Sequence, residues 1–482
     1  MNLFQEKLKK ADGIVSVFSA VLLGASVALF LLCLEYLGIK MTVLRWLPVP
    51  VYAFMLWSLL RGAYFKDAAY LCGFVFLLWY LLSRFLLGDT GLRLSVYTLG
   101  EMCTVYGFGF LFAAVSRDGN RRRFLNVLLS VLVLVFAVYA VVGVVASLWR
   151  VDITLPGGVH ETYMDEWTGR LYILEMNPNS CAPFSCFGLV FTVYLLLEYK
   201  RRWLLLPGLI LIVLFYWVLA LTNSLGARIG LTIASAPMAA ILFFRFVPIK
   251  KKWVFVPVML AGLLLTWYGF LLTGSLLDGV SDRLLREKTI RQLRQVEEVG
   301  SGEELDTAVE EYMEDYYYAD LVSERESLLD NADMSGRTSF YVTVLEWLRE
   351  HPKNLWLGCI ESRITILLGN TVDDLRFYGY LHSSFIQALC VVGTPGLLIV
   401  LCLCVLLVVY SLKIIFSDKS EAAEKMLPVM CVPVAVQGLI ESFLFVTSSS
   451  LIFSSVFNLL FFILAGYIVE TQRKLKAEKS SV

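Results

Sequence analysis

Three histidines and a few well-placed arginines carry the chemistry that this chain can offer, and His382 stands where several requirements meet. In YLHSSFIQALCVVGTPG a polar stretch ends at the imidazole, and an apolar helix begins directly after it. Imidazole takes and releases a proton near neutral pH without help from its surroundings. Ser383 or Ser384 is a candidate N-cap, and Gln387 would complete an S-x-x-Q capping box. The positive end of the helix disfavours imidazolium, so His382 is expected to be neutral and able to accept a proton. The plainer role for the same residue is to cap the helix at a membrane interface. His351 precedes Pro352 and reads as a solvated helix end, while His160, in GGVHETY, has no evident partner.

The arginines add an anion-binding element. Arg228 lies just inside an apolar segment, in LTNSLGARIGLTIA. A charge there is costly, so it should face a polar cavity or a partner. Arg337 opens a helix in MSGRTSF, Arg170 precedes an apolar segment in GRLYILEMNPNS, and Arg150 lies close by. Guanidiniums beside a helix N-terminus suit phosphate or pyrophosphate, whose oxygens they bind in pairs. Each could instead be an interfacial arginine that lays its stem on the apolar surface. Arg84 is expected to snorkel to a nearby membrane edge, and Glu35 to be interfacial. Glu101 and Glu441, within apolar segments, each need a polar partner. The ten cysteines show neither a disulfide framework nor metal-ligand spacing. No metal or other cofactor is expected.

These residues have to be held by membrane-spanning helices. The chain has 482 residues, of which 58% are hydrophobic and 17% charged, and its mean hydropathy is +0.71. That excludes a soluble globule. Segments of roughly 20 apolar residues cross a bilayer. Twelve are read at about 14–37, 46–61, 68–87, 94–115, 124–148, 179–198, 203–221, 226–245, 253–273, 384–411, 427–446 and 449–469. The first follows Lys7, Lys9 and Lys10 and is too long for a signal-peptide core, so it is expected to be retained. With the N-terminus inside, cytoplasmic segments hold 23 of the 41 Lys and Arg, and short outer loops hold seven. The bias places both termini in the cytoplasm and His382 at the outer face.

The fold class read from this pattern is an all-α polytopic membrane protein of about twelve transmembrane helices with a large helical extracytoplasmic loop. Residues 1–273 carry nine spans and a smaller outer loop at 149–178. Residues 274–383 form the large loop, and 384–482 carry the last three spans and a cytoplasmic tail. The large loop holds 22 acidic against 11 basic residues, which excludes nucleic acid as a partner. Within it, 281–299 and 303–319 have helical patterns. A third helix runs from an N-cap at Ser335 to about Glu350, where His351-Pro352 stops it. The stretch NLWLGCIESRITILLG has the character of a re-entrant or interfacial element.

Four blocks in this order resemble the bacterial O-antigen ligases and the related O-antigen and capsule polymerases. They are Arg170 with Asn177-Pro178-Asn179; Thr222, Ser224, Gly226 and Arg228; Arg337 with Pro352 and Gly358; and His382 with Gly393 and Gly396. The resemblance covers about residues 165–445. It departs from the family pattern in three places. Leu225 separates Ser224 from the arginine, Phe340 and Tyr341 stand where a Trp is frequent, and Ser383 follows the His where Asn is frequent. The resemblance implies a GT-C-like, metal-independent glycosyltransferase of the bacterial plasma membrane. Its donor would be an undecaprenyl-pyrophosphate-linked glycan, and its acceptor a glycan or lipid-linked glycan. It implies that His382 assists the acceptor hydroxyl and that Arg337, Arg228 and Arg170 bind the pyrophosphate. Polymerase and ligase remain equally open. A lipid-linked oligosaccharide flippase is the alternative of a different class.

Overall fold

The computed structural model describes residues 62–87, 102–115, 118–148, 151–155, 158–164, 170–173, 178–247, 252–273, 337–359, 383–440, 444–445 and 452–480. The expected spans at 14–37 and 46–61, the loop helices at 281–299 and 303–319, and His382 lie outside them. So do Glu35, Glu101, Arg150 and Glu441.

Twelve helices follow in chain order: α1 Ala68–Leu87, α2 Phe110–Val115, α3 Asp118–Leu148, α4 Pro178–Tyr199, α5 Leu205–Thr222, α6 Leu225–Phe246, α7 Phe255–Thr273, α8 Arg337–Glu350, α9 Pro352–Leu357, α10 Ser384–Ile415, α11 Ala422–Ile440 and α12 Ile452–Ser480. Among the described residues, eight helices are long and apolar enough to cross a membrane, each overlapping an expected span. They are α1, α4, α5, α6, α7, α10, most of α3 and nearly all of α11. The chain is a helical polytopic membrane protein. The segment expected at 427–446 starts earlier, at Ala422, with Pro428 and Pro433 inside the helix.

Within an otherwise helical protein, the segment expected as the small outer loop contributes strand. It folds into a three-stranded antiparallel sheet, β1 Val151–Leu155, β2 Gly158–Met164 and β3 Leu171–Tyr172, in the order β1-β2-β3. Leu155 pairs with Gly158 across the Pro156-Gly157 pair, and the tyrosine rings of Tyr163 and Tyr172 stack with centroids 5.4 Å apart. The signal was legible in Val151, Ile153 and Leu155, which alternate with polar residues and run into Pro-Gly-Gly. Leu171 and Ile173 are buried against Gly143 of α3, which ties the sheet to the bundle.

The core is aromatic and close-packed. Tyr106 lies against Phe462 at 4.4 Å, and Phe184 against Phe457 at 4.9 Å. α6 and α11 pack with their backbones close together. A Cβ on Gly230 would stand 2.9 Å from the Pro433 carbonyl oxygen and 3.0 Å from its Cα, so both contacts are to backbone that cannot give way.

At one end of the bundle, charges pair with charges. Arg122 binds Glu198 and Glu421, Lys474 binds Glu424, and Arg121 and Arg473 bind Glu470, which also accepts from the Tyr70 hydroxyl. The Arg122 hydrogen bond holds the Glu421 carboxyl below the usual carboxylate range. A cavity of about 330 Å³ opens there among these same groups.

Gly230→Val should lower stability by about 1–3 kcal/mol, because the α6–α11 approach leaves no room for a side chain. Thermal unfolding in detergent measures this, and a melting temperature equal to that of the parent protein would refute the packing.

Candidate functional site

The other end of the bundle collects the residues singled out in the sequence. Pro178 opens α4, where its missing N–H costs nothing and its ring presets the helical φ. Asn179, one residue on, accepts a hydrogen bond from Arg170 Nη2 at 2.8 Å. Arg170 Nε donates to the Thr222 carbonyl at 3.0 Å, the last residue of α5. The first two motif blocks therefore meet through one guanidinium.

Arg228 serves the same helix end. α5 stops at Asn223, which adopts a left-handed conformation, and Ser224 is the N-cap of α6. From the first turn of α6, Arg228 Nη2 reaches back to the Ala220 carbonyl at 3.1 Å, and its guanidinium lies 5.6 Å from the Phe270 ring. The last carbonyls of a helix lack N–H partners and carry the negative end of its dipole. Both arginines therefore have the geometry of C-terminal caps on α5.

α11 links this cluster to α10. Gln437 Nε2 donates to the Asn179 carbonyl at 3.0 Å, and its neighbour Gly438 packs on Ser384. Ser384 Oγ accepts the Leu444 N–H at 2.9 Å. Ser383 occupies the N-cap position of α10, but its side chain makes no capping bond. The expected capping box is therefore not formed: with Ser383 at the N-cap, the third helical position is Ile386 rather than Gln387. Gln387 is buried one turn further in.

The third and fourth blocks meet through their glycines. α8 starts at Arg337, whose side chain is outside the described residues, and ends at Glu350 as expected. Pro352 then starts α9 at its first position. His351, between them, is exposed, and its ring stacks on Trp347 with centroids 4.5 Å apart. α9 docks on a break in α10 at Gly393, where φ is 67° and ψ −176°. Gly358, with φ 82°, lies against that break. A Cβ on Gly393 would collide with the Trp356 carbonyl oxygen, and one on Gly358 with that of Val391. Of the expected re-entrant stretch, the part up to Cys359 is described, and it packs on this break. Gly393 and Gly358 are thus structural requirements.

Sequence reasoning missed Gln437, and it placed Arg84 wrongly. Arg84 does not snorkel; it is 8% exposed and turned into the bundle. His160 lies on β2 opposite Ile153, with its side chain outside the described residues.

The N-termini of α4, α6 and α10 thus gather at one end with Arg170 and Arg228. Helix N-termini attract anions, and the two arginines bind the carbonyl-bearing end of α5 that lies among them. Residues 209–401 match the O-antigen ligase family. The match supports the O-antigen ligase and polymerase superfamily. It covers Thr222, Ser224, Arg228, Arg337, Gly358, His382 and Gly393, that is, three of the four blocks, and stops short of Arg170 and Gln437. No curated protein matches the chain. In general terms the match supports a multi-pass bacterial membrane protein of glycosyltransferase-like activity with lipid-linked glycan as partner.

Asn179→Leu and Arg170→Met should each cost about 1 kcal/mol, because each removes one end of a half-buried, charge-assisted hydrogen bond. Together they should cost clearly less than their sum, since they break the same bond. A double-mutant cycle on thermal unfolding in detergent tests this, and strict additivity would show that the two side chains do not meet.

Proposed function

We propose that the protein transfers or polymerises undecaprenyl-pyrophosphate-linked oligosaccharide at the extracytoplasmic face of the bacterial plasma membrane, as a GT-C-like transferase. The observation that carries this reading is the gathering of three helix N-termini with Arg170 and Arg228, within and beside a sequence of the O-antigen ligase family.

In the proposed reaction an acceptor hydroxyl oxygen attacks the anomeric carbon of the donor glycan. The new glycosidic bond forms as the bond from that carbon to the pyrophosphate oxygen breaks, with inversion. The hydroxyl proton goes to His382, and undecaprenyl pyrophosphate leaves with the electron pair. Negative charge grows on the leaving phosphoryl groups, where fixed guanidiniums and helix N-termini stabilise it most. Arg337, Arg228 and Arg170 are assigned to that charge, which leaves no role for a metal ion.

The orientation belongs to the same proposal. Arg121, Arg122, Lys200 and Lys474 stand together at the opposite end of the bundle. Such a concentration of Lys and Arg is expected on the cytoplasmic side, whatever carboxylates pair with them. Both termini are then cytoplasmic, and the large loop at 274–383 is extracytoplasmic.

His382→Ala should lower glycan transfer by at least about a hundredfold with unchanged expression. Purified protein with lipid-linked oligosaccharide measures this, and near-parental product would remove His382 as the base. Arg337→Lys should be impaired almost as much as Arg337→Ala, because a point charge loses the paired geometry of the guanidinium. In the same assay, EDTA should leave the rate unchanged, and a loss restored by divalent metal would refute the metal-free step. A ladder formed from donor alone identifies a polymerase, and a single transfer requiring a separate acceptor identifies a ligase.

A further inference from the structure

The break in α10 has a partner that the reaction scheme does not use. Pro395 has no N–H and stands four residues after Val391, so the Val391 carbonyl would lack a helical partner even in an unbroken helix. Gly393 then turns the chain out of the helical path. Carbonyls left open in this way are costly away from water and must be met from elsewhere.

Three groups meet them. The Cys359 N–H binds the Cys390 carbonyl at 2.6 Å, Arg84 Nη2 binds the Val391 carbonyl, and Trp79 Nε1 binds the Val392 carbonyl at 2.7 Å. Arg84 Nη1 also binds the Cys359 carbonyl at 2.7 Å, and Thr394 Oγ1 binds the Leu355 carbonyl at 2.9 Å. Arg84 is therefore the one side chain among the described residues seen to hold both the broken helix and the segment after α9. The guanidinium lies 5.1 Å from the Tyr80 ring, so its surroundings are bundle rather than solvent.

The half-helix from Ser384 to Val392 is about 13 Å long at the helical rise, so a turn of about 10° at Gly393 would move its first residue by about 2 Å. We propose that Arg84 is a positioning residue for the candidate site: by binding the Val391 and Cys359 carbonyls it fixes the angle of this half-helix and hence the place of its first turn beside His382. The clamp stands on the geometry alone, whereas its effect on catalysis rests on the transferase reading above.

The test uses the full-length protein in lipid nanodiscs, with Arg84→Gln and Arg84→Lys. Cys359 and Cys390 are 5% and 1% exposed, so N-ethylmaleimide should modify them slowly in the parent. In Arg84→Gln both should react faster, by about tenfold as the local structure opens, while Cys186 and Cys431, buried elsewhere, stay protected. With undecaprenyl-pyrophosphate oligosaccharide as donor, kcat should fall by about a hundredfold, the scale of a small misplacement of reacting groups, with little change in KM. Arg84→Lys, which keeps the charge and can meet one carbonyl, should recover part of kcat. Protection of Cys390 unchanged in Arg84→Gln would overturn the clamp. Faster modification with parental kcat would overturn the positioning role. Parent protein inactive on this donor would remove the transferase reading and the positioning role with it, while the maleimide arm still decides the clamp.

Discussion

A backbone carbonyl that loses its helical partner inside an apolar bundle has to be met by some other donor, and in this protein arginine is repeatedly that donor. Arg170 and Arg228 bind the last carbonyls of α5, and Arg84 binds those at the break in α10. Lys66 does the same for Ala114 at the end of α2. At the α10 break the pairing joins two costly groups, the buried Arg84 charge and carbonyls left open by the break, so that each offsets the other. The cost of removing one partner is therefore larger than the net worth of the bond. Helix ends and breaks, which would be weak points in a membrane, become the places where distant segments are tied together.

That constraint explains which parts of the fold were legible in the sequence. Long apolar runs such as Leu205–Thr222 and Phe255–Thr273 announce themselves by length and composition. The stop at His351-Pro352 was also readable, because proline cannot continue a helix, although its sequel was not: Pro352 is a good first residue, and a second helix starts there. The hairpin at 151–164 was legible as alternation, yet the surrounding helical pattern outweighed it. Arg84 was misread for a different reason. Its distance from the end of an apolar run fits snorkelling, and only the position of Val391, Cys359 and Pro395 in space shows why it turns inward.

The site was legible as residue types and only partly as contacts. Arg170 and Asn179 are nine residues apart, and Thr222 lies far down the chain, so their meeting depends on how α4 packs beside α5. Gln437 carried no signal, since a glutamine near a helix end is ordinary; its role comes from facing the first turn of α4. The capping box failed by one residue of register. With Ser383 rather than Ser384 at the N-cap, the third helical position falls on Ile386, and the Ser384 hydroxyl accepts the Leu444 N–H instead.

The two ends of the bundle use charge differently. Where Arg122 meets Glu198 and Glu421, and Lys474 meets Glu424, each bond brings opposite charges together, and the fields cancel within a few ångströms. A carbonyl acceptor satisfies an N–H without cancelling the charge that carries it. The bonds from Arg170 to Thr222 and from Arg228 to Ala220 therefore orient the guanidiniums without themselves neutralising them, beside the N-termini of α4, α6 and α10. An arginine held this way has already lost much of the side-chain freedom that binding an anion would otherwise remove. The interactions that make the helix ends tolerable in a membrane are thus the same ones that would make this end of the bundle ready for a pyrophosphate.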